Sequence, residues 1–261
     1  MADRILVFIP CYNCEAQIGR VLGQFAGGVG ARFAEILVLD NHSRDATVEA
    51  ALAASDRPRS TRVTVARNRE NYGLGGSHKA AFAYAVREGY SHVVTLHGDD
   101  QGHIRDLLPI LDAGRHRRAA ACLGARFVRG AKLTNYSAFR IFGNQVFNAL
   151  FTGVTGTRVV DLGSGLNIFG PEIFAAPSLP FWSDDLRFNI FLLLDAIHRR
   201  LVLDPFPIEW REEDQVSNVR MASQAAATLR MLAGYALRRG RFLATDHRAV
   251  ARKDYRFDAV G

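Results

Sequence analysis

A mostly parallel α/β sheet flanked by helices is the architecture this sequence predicts. Three observations carry that expectation. Short runs rich in Val, Ile and Leu recur through the first half, helix-length amphipathic segments separate them, and a polar cluster follows each of the first four runs. Continuous apolar runs are the pattern of strands buried on both faces, and their alternation with helices is the pattern of a parallel sheet covered on both sides. With 261 residues, 48% of them hydrophobic, the chain can bury a large core without staples.

Strands are expected at residues 4–10 (RILVFIP), 35–40 (EILVLD), 62–66 (RVTVA), 92–97 (HVVTLH) and 119–124 (AAACLG). Helical segments are expected at 15–25, 43–54, 75–88 and 104–111, with Ser43, Asp40 and Asp45 as capping groups for the second. Beyond residue 125 the alternation breaks. Residues 135–156 place Phe139, Ile141, Phe142, Val146, Phe147, Leu150 and Phe151 in one broad apolar stripe. Residues 161–170 (DLGSGLNIFG) read as a tight turn entering a strand, and 184–200 as a mostly buried helix followed by a strand in LVLDPFPIEW. A long helical pattern runs from about residue 218 to 240, and no linker or internal repeat divides the chain. The expected organisation is a catalytic domain over 1–217 and a helical tail over 218–261 facing a membrane or a partner.

Lys and Arg number 33 against 26 Asp and Glu, a net charge of +7. That surplus suits nucleic acid, an anionic membrane surface or a phosphorylated substrate. No basic run is interleaved with aromatics, and neither zinc-finger spacing nor a recognition-helix pattern is present, so no nucleic-acid partner is expected. Three cysteines do not make a disulfide framework, and a reducing cytoplasm is the simplest compartment. The N-terminal apolar stretch is short for a signal peptide, and no apolar run approaches the ~20 residues that cross a bilayer. The expectation is a cytoplasmic protein, soluble or peripheral on the membrane. Cys11-x-x-Cys14, between a strand and a helix, has the spacing of a thiol oxidoreductase or half a zinc site, and keeps those classes open.

Ligands of open parallel sheets sit beyond the carboxyl ends of the strands. There the sequence places Pro10-Cys11-Tyr12-Asn13, then Asp40-Asn41, then Asn71-x-Gly73-x-Gly75-Gly76, then His97-Gly98-Asp99-Asp100-Gln101. Tyr12 offers a stacking face, Asn13 and Asp40 offer hydrogen bonds to a base or ribose, and glycines permit close backbone approach. Asp99 suits a hard divalent cation bridging to a diphosphate. Neither G-x-G-x-x-G nor the P-loop pattern occurs, which counts against NAD enzymes and ATPases.

These motifs resemble family 2 glycosyltransferases of the GT-A fold, in the branch of the dolichyl-phosphate mannose and glucose synthases. Pro10, Tyr12 and Asn13 match the family's P-x-Y-N-E; Asp40, Ser43 and Asp45 match part of V-D-D-G-S-x-D; Asn71, Gly73 and Gly75 match N-x-G-x-G. HGDDQ matches the H-x-D-x-Q form of the metal motif through His97, Asp99 and Gln101, and GAR places Arg126 near the diphosphate, with Arg140 as a second phosphate candidate. DLGSG carries Asp161, Ser164 and Gly165 of D-x-x-S-G, and Arg211 and Ser217 match the closing R-x-x-x-x-S segment. Asn41 stands where relatives have Asp, Cys14 where they have Glu, and Asn167 where many have Arg.

The resemblance implies an inverting transfer from a nucleoside-diphosphate sugar, GDP- or UDP-linked, with Mg²⁺ or Mn²⁺ on Asp99 and His97. Pro10, Tyr12, Asn13, Asp40, Asn71, Gly73, Lys79, Gln101, Arg126 and Arg140 are the expected donor-binding residues. Ser164, Gly165, Arg211 and Ser217 are expected on the acceptor side. A hydroxyl acceptor needs a general base, for which Asp184 and Asp185 are the candidates, although both would also serve as helix caps. A polyprenyl phosphate acceptor is already anionic and needs none. The apolar stripe suits a membrane surface, the core or a homodimer interface, and a non-catalytic nucleotide-sugar-binding module is the rival from another class.

Overall fold

The computed structural model describes residues 3–57, 60–214 and 221–260. In chain order the first half runs β1 (Ile5–Cys11), α1 (Glu15–Gly23), β2 (Glu35–Asp40), α2 (Thr47–Ser55), β3 (Arg62–Asn68), α3 (Gly73–Arg87), β4 (His92–Leu96), α4 (Leu108–Asp112) and β5 (Ala121–Ala125). The second half runs β6 (Lys132–Thr134), α5 (Ala138–Thr155), β7 (Leu166–Phe169), α6 (Pro171–Phe174), α7 (Phe188–His198), β8 (Leu203–Pro207), β9 (Glu209–Arg211), α8 (Met221–Ala244) and β10 (Phe257–Ala259).

Eight strands form one sheet in the order β10-β3-β2-β1-β4-β7-β5-β8. β1, β2, β3 and β4 are parallel neighbours, as the alternation predicts, while β7 runs antiparallel to both β4 and β5. β6 and β9 form a separate parallel pair. The runs of β1, β2 and β4 are buried at every position, whereas β3, beside the sheet edge, is exposed at Arg62 and only partly buried at Val63 and Thr64, unlike the fully buried strand expected there. Leu6 and Phe8 of β1 enter a cluster with Phe82 of α3 and Phe188 and Phe191 of the α7 side, whereas Ile5, Val7 and Ile9 pack with Ile18 and Leu22 of α1. Alternate side chains of a strand point to opposite faces, so a strand covered twice keeps its apolar character at every position.

Two parts of the chain differ from the sequence expectation. The LVLDPFPIEW strand is two strands in different sheets, β8 and β9, with Ile208 between them. The C-terminal segment is helical only as far as Ala244, with non-helical backbone at Arg238, and then returns to the sheet, where β10 pairs antiparallel with the β3 edge. The expected boundary at 217 falls outside the described residues.

Candidate active site

The carboxyl ends of β1 and β2 are in register, Cys11 opposite Asp40, and the loops that follow them are tied together. Asn13 N–H donates to Ser43 Oγ at 2.8 Å, and Asn13 Oδ1 accepts from Arg44 N–H at 3.0 Å. Asp40, 1% exposed, accepts the Ser43 N–H and pairs with Arg67 at 3.1 Å. Asp45 accepts the Thr47 N–H just ahead of α2, but the helix starts at Thr47 with Ala46 at the cap position and no side-chain cap, so Ser43, Asp40 and Asp45 bind the loop and do not cap the helix. Glu15 accepts the Ala46 N–H, so one residue beyond Cys14 a carboxylate still anchors the second loop. Tyr12 stays 37% exposed, with its ring available for stacking. Three non-glycine residues have left-handed backbones in the loops after β1, β2 and β4: Asn13 (φ 55°), His42 (φ 64°) and Asp100 (φ 59°). Such conformations persist where surrounding contacts impose them, and they concentrate at functional loops.

The Asp99-Asp100 pair divides its tasks. Asp100 is buried and turned toward α1, accepting from Arg20 Nε at 2.8 Å and Gln24 Nε2 at 2.9 Å, which holds its strained backbone. Asp99 is half-buried and accepts the Gln101 N–H at 3.2 Å. Burial raises its carboxyl above the usual range, against the nearby His97. His97 is depressed by burial, and its Nε2 is a buried nitrogen without a hydrogen-bond partner. His97 is seated on Gly165: its backbone N–H donates to Gly165 O at 2.9 Å, and a Cβ on Gly165 would lie 2.9 Å from Cγ of the His97 ring. A neutral imidazole with a vacant nitrogen beside a carboxylate is a donor set that fits a divalent cation.

A cationic edge faces this loop. Arg126, with a side chain 10% exposed, makes a double hydrogen bond to Asp161 (2.9 and 2.7 Å), donates to Gly163 O and lies over the Trp210 ring. Its charge helps keep His97 neutral. Tyr136, which no sequence pattern singled out, joins the two arginines: its hydroxyl accepts from Arg126 at 3.3 Å, and Arg140 covers its ring at 4.6 Å. Arg140 pairs with Glu212. Arg211, expected on the acceptor side, lies against the loop after β4, its backbone N–H donating to Gln101 O and its guanidinium 3.9 Å from Asp100.

The glycine turn before α3 is close-packed, but against protein. A Cβ on Gly73 (φ 73°) would stand 2.5 Å from Asp184 O, and that carbonyl accepts from Gly75 N–H (2.7 Å) and Gly76 N–H (3.2 Å). Gly73 is therefore required by the approach of the Asp184 backbone. Asn71 is exposed and accepts from Asn41 Nδ2 at 2.9 Å, while Asn41 Oδ1 accepts from Asn68 Nδ2 and Tyr72 N–H. An Asp at position 41 could not donate to Asn71, so the amide suits this turn.

Lys79 and Asp184 require correction. Lys79 Nζ, with a side chain 2% exposed, donates to Trp182 O (2.5 Å), Asp184 Oδ1 (2.7 Å), Pro180 O and Tyr255 OH. It is enclosed and not open to a nucleotide. Asp184 also accepts from Tyr255 OH at 2.6 Å and Arg252 Nη1 at 3.2 Å, so its carboxylate is no free base. Burial raises Asp185, but hydrogen bonds from Arg187 outweigh that and hold it below the usual range. Asp185 lines a cleft of about 510 Å³ with Arg230 and His247, residues of none of the four strand-end loops. Ser164 is buried, donating to Gly124 O, and Gly165 backs His97, so both support the loop from beneath. Asn167 is likewise buried, bridging Gly124 N–H and Ser164 O inside the sheet. Ser217 lies outside the described residues.

Cys11 and Cys14 are unpaired and buried beneath Gly98, whose Cβ would be 2.5 Å from Cys11 Sγ. A hydrogen bond with Cys14, and then burial, push the Cys11 thiol well above its ordinary range, the opposite of a reactive thiolate. Among the described residues, Asp3, His92 and His116 form a group whose ligand atoms are close enough to hold a metal ion, and it stands at the amino ends of β1 and β4, opposite these loops.

Strand-end loops that gather an exposed aromatic, a half-buried aspartate and a cationic edge on this sheet are the arrangement of a GT-A glycosyltransferase. The chain belongs to glycosyl transferase family 2, whose description matches residues 6–174. It is 28% identical over 217 residues to the polyprenol monophosphomannose synthase of Mycolicibacterium smegmatis, covering 81% of this chain and 79% of that one. To the undecaprenyl-phosphate mannosyltransferase of Micrococcus luteus it is 27% identical over 177 residues, 67% of this chain and 70% of the relative. The glucosyl-3-phosphoglycerate synthase of Mycobacterium tuberculosis, solved with Mn²⁺, UDP-glucose and glycerol 3-phosphate, shares the fold: TM-score 0.58, 20% identity, 91% of this chain and 80% of that one.

Proposed function

We propose that this glycosyltransferase moves a sugar, with inversion, from a nucleoside-diphosphate donor, GDP- or UDP-linked, to a polyprenyl phosphate at a membrane surface. The anomeric carbon–oxygen bond to the diphosphate breaks, the nucleoside diphosphate leaves with the electron pair, and an acceptor phosphate oxygen forms the new bond. Pro10, Tyr12, Asn13, Asp40 and Asn71 shape the nucleoside end, with Tyr12 as the stacking face. Gln101 orders the loop that carries Asp99. Asp99 and His97 would hold Mg²⁺ or Mn²⁺, which supplies charge for the departing diphosphate. Arg126 and Arg140, joined by Tyr136, provide fixed positive charge at the same edge. Such charge favours the transition state because it needs no reorganisation as the bond breaks.

The observation that carries the acceptor class is α5. One helix brings Arg140 to the site's edge and leaves Phe139 (72% exposed), Phe142 (69%), Val146 and Leu150 on its outer surface. A cation beside an unburied apolar stripe suits a phosphate head followed by a hydrocarbon chain, and it suits shallow insertion into a bilayer interface. The commitments of Asp184 and Asp185 agree with an acceptor that needs no proton removed. The two relatives named above carry polyprenol and undecaprenyl phosphate in their names. No helix among the described residues is long and apolar enough to cross a membrane, and surface association is what is proposed.

Labelled UDP- and GDP-sugars with Mn²⁺ test this, offered either undecaprenyl phosphate in anionic phospholipid vesicles or soluble saccharide hydroxyls. Label is expected in the lipid phase, and Phe139→Ser with Phe142→Ser should lower vesicle association roughly tenfold, since two phenylalanines contribute about 1.5–3 kcal/mol each when buried and only partly insert. Transfer to hydroxyls with none to lipid phosphate would overturn the acceptor assignment. A dimer that dissociates in the double variant, with vesicle binding unchanged, would make the stripe a protein interface.

A further inference from the structure

After α8 the chain does not trail away: residues 245–260 cross both loops that flank the site's donor side. His247 N–H donates to Phe181 O at 2.8 Å. Arg252 reaches Glu70 at 2.9 Å with one arm and Asp184 at 3.2 Å with another. Tyr255 donates to Asp184 at 2.6 Å and sets its ring edge-on to Tyr72, centroids 5.3 Å apart. Arg256 N–H donates to the Tyr72 hydroxyl, Arg69 N–H donates to Arg256 O, and Phe257 stands opposite Asn68 where β10 joins β3. The segment thus holds Glu70 and Tyr72, on either side of the exposed Asn71, and the carboxylate of Asp184, whose backbone carbonyl caps the first turn of α3.

We propose that this C-terminal segment is a strap that positions the Asn71–Gly76 turn for the donor, with Tyr255 and Arg252 as positioning residues acting through Asp184 and Tyr72. The reasoning is geometric. Apart from the strap, which meets it at Tyr72 and Gly76, the turn is hydrogen-bonded to the Asn41 side chain and the Asp184 carbonyl. Asn41 is fixed at the end of β2. Asp184 belongs to a loop, and three side chains hold its carboxylate: Lys79 beneath, and Tyr255 and Arg252 from the strap. Releasing the strap leaves Lys79 to hold Asp184 alone and lets the 183–187 loop shift, and with it the turn. The metal loop after β4 has its own anchors, Arg20, Gln24 and Gly165, so it keeps its place. The strap therefore governs how tightly the donor is held and leaves the bond-breaking step alone.

The strap's link to the donor rests on the glycosyltransferase reading, and the test separates the two. Tyr255→Phe keeps the ring against Tyr72 and Gly76 and removes only the hydroxyl. A hydrogen bond to a charged group carries enough energy that its loss should raise KM for the nucleotide sugar roughly three- to tenfold, with kcat within about twofold. Arg252→Ala should do the same, and Arg252→Lys, which keeps the charge, should recover part of it. In ligand-free protein, amide hydrogen exchange at residues 73–76 should quicken in Tyr255→Phe while exchange at 97–101 stays unchanged. That second readout needs no substrate, so it stands even if no nucleotide binds the wild type and the functional reading fails. Unaltered exchange at 73–76, or equal losses in kcat and stability with KM unchanged, would overturn the strap and leave Tyr255 a purely structural residue.

Discussion

Asp99→Ala is expected to lower sugar transfer by roughly 10²–10³-fold, the loss seen when a group that meets developing charge is removed. Melting should change little, because the loop's strained backbone is held through Asp100 by Arg20 and Gln24, and these contacts do not involve the Asp99 carboxylate. Asp100→Ala should show the reverse balance: a less stable protein, in which activity falls because the loop is no longer held. Measuring turnover and thermal melting on both variants separates the two carboxylates, which the sequence presents as an undifferentiated pair. An Asp99→Ala enzyme with wild-type turnover would remove this loop from the reaction.

Arg126→Ala should be the most damaging change to both stability and activity. The guanidinium and Asp161 are both buried, with side chains 10% and 3% exposed, and the double hydrogen bond between them is satisfied on both sides. Removing one partner leaves a buried charge without compensation, a cost of about 3–5 kcal/mol. For a chain of this size that lowers the melting temperature by on the order of 10 °C. The same change removes a cation that acts on His97 and the hydrogen bond from Arg126 to the Tyr136 hydroxyl. Arg126→Lys keeps the charge but not the fork, and should recover only part of the stability. Calorimetry with turnover measurements checks this, and unchanged melting in Arg126→Ala would contradict it.

Much of this was legible in the sequence because it is local. Five strands and their order of appearance follow from apolar runs, and the polar loops follow from what stands at the run ends. β10 was not legible, because Phe257–Ala259 is a three-residue edge strand whose partner, β3, is some 190 positions away, and no periodicity marks so short a pairing. The same distance in sequence hid the role of Asp184. Beside Asp185 at a helix entrance it reads as a cap or a base, yet its partners come from Lys79, Arg252 and Tyr255. The glycines after β3 read as room for a ligand to approach the backbone, yet at Gly73 and Gly75 what approaches is the 183–184 backbone. Cys11-x-x-Cys14 reads as redox chemistry until burial is known, and then as two thiols filling space beneath Gly98.

The central claim is that Asp99 and its neighbours bind a nucleoside diphosphate through a divalent cation. Thermal-shift measurements with GDP, UDP, dTDP and CDP, each with and without Mn²⁺, test it most directly. One of the four should raise the melting temperature by roughly 5–10 °C at a hundredfold excess over its dissociation constant, only when Mn²⁺ is present, and not in Asp99→Ala. No shift with any of them, or a shift indifferent to both Mn²⁺ and Asp99, would contradict the account.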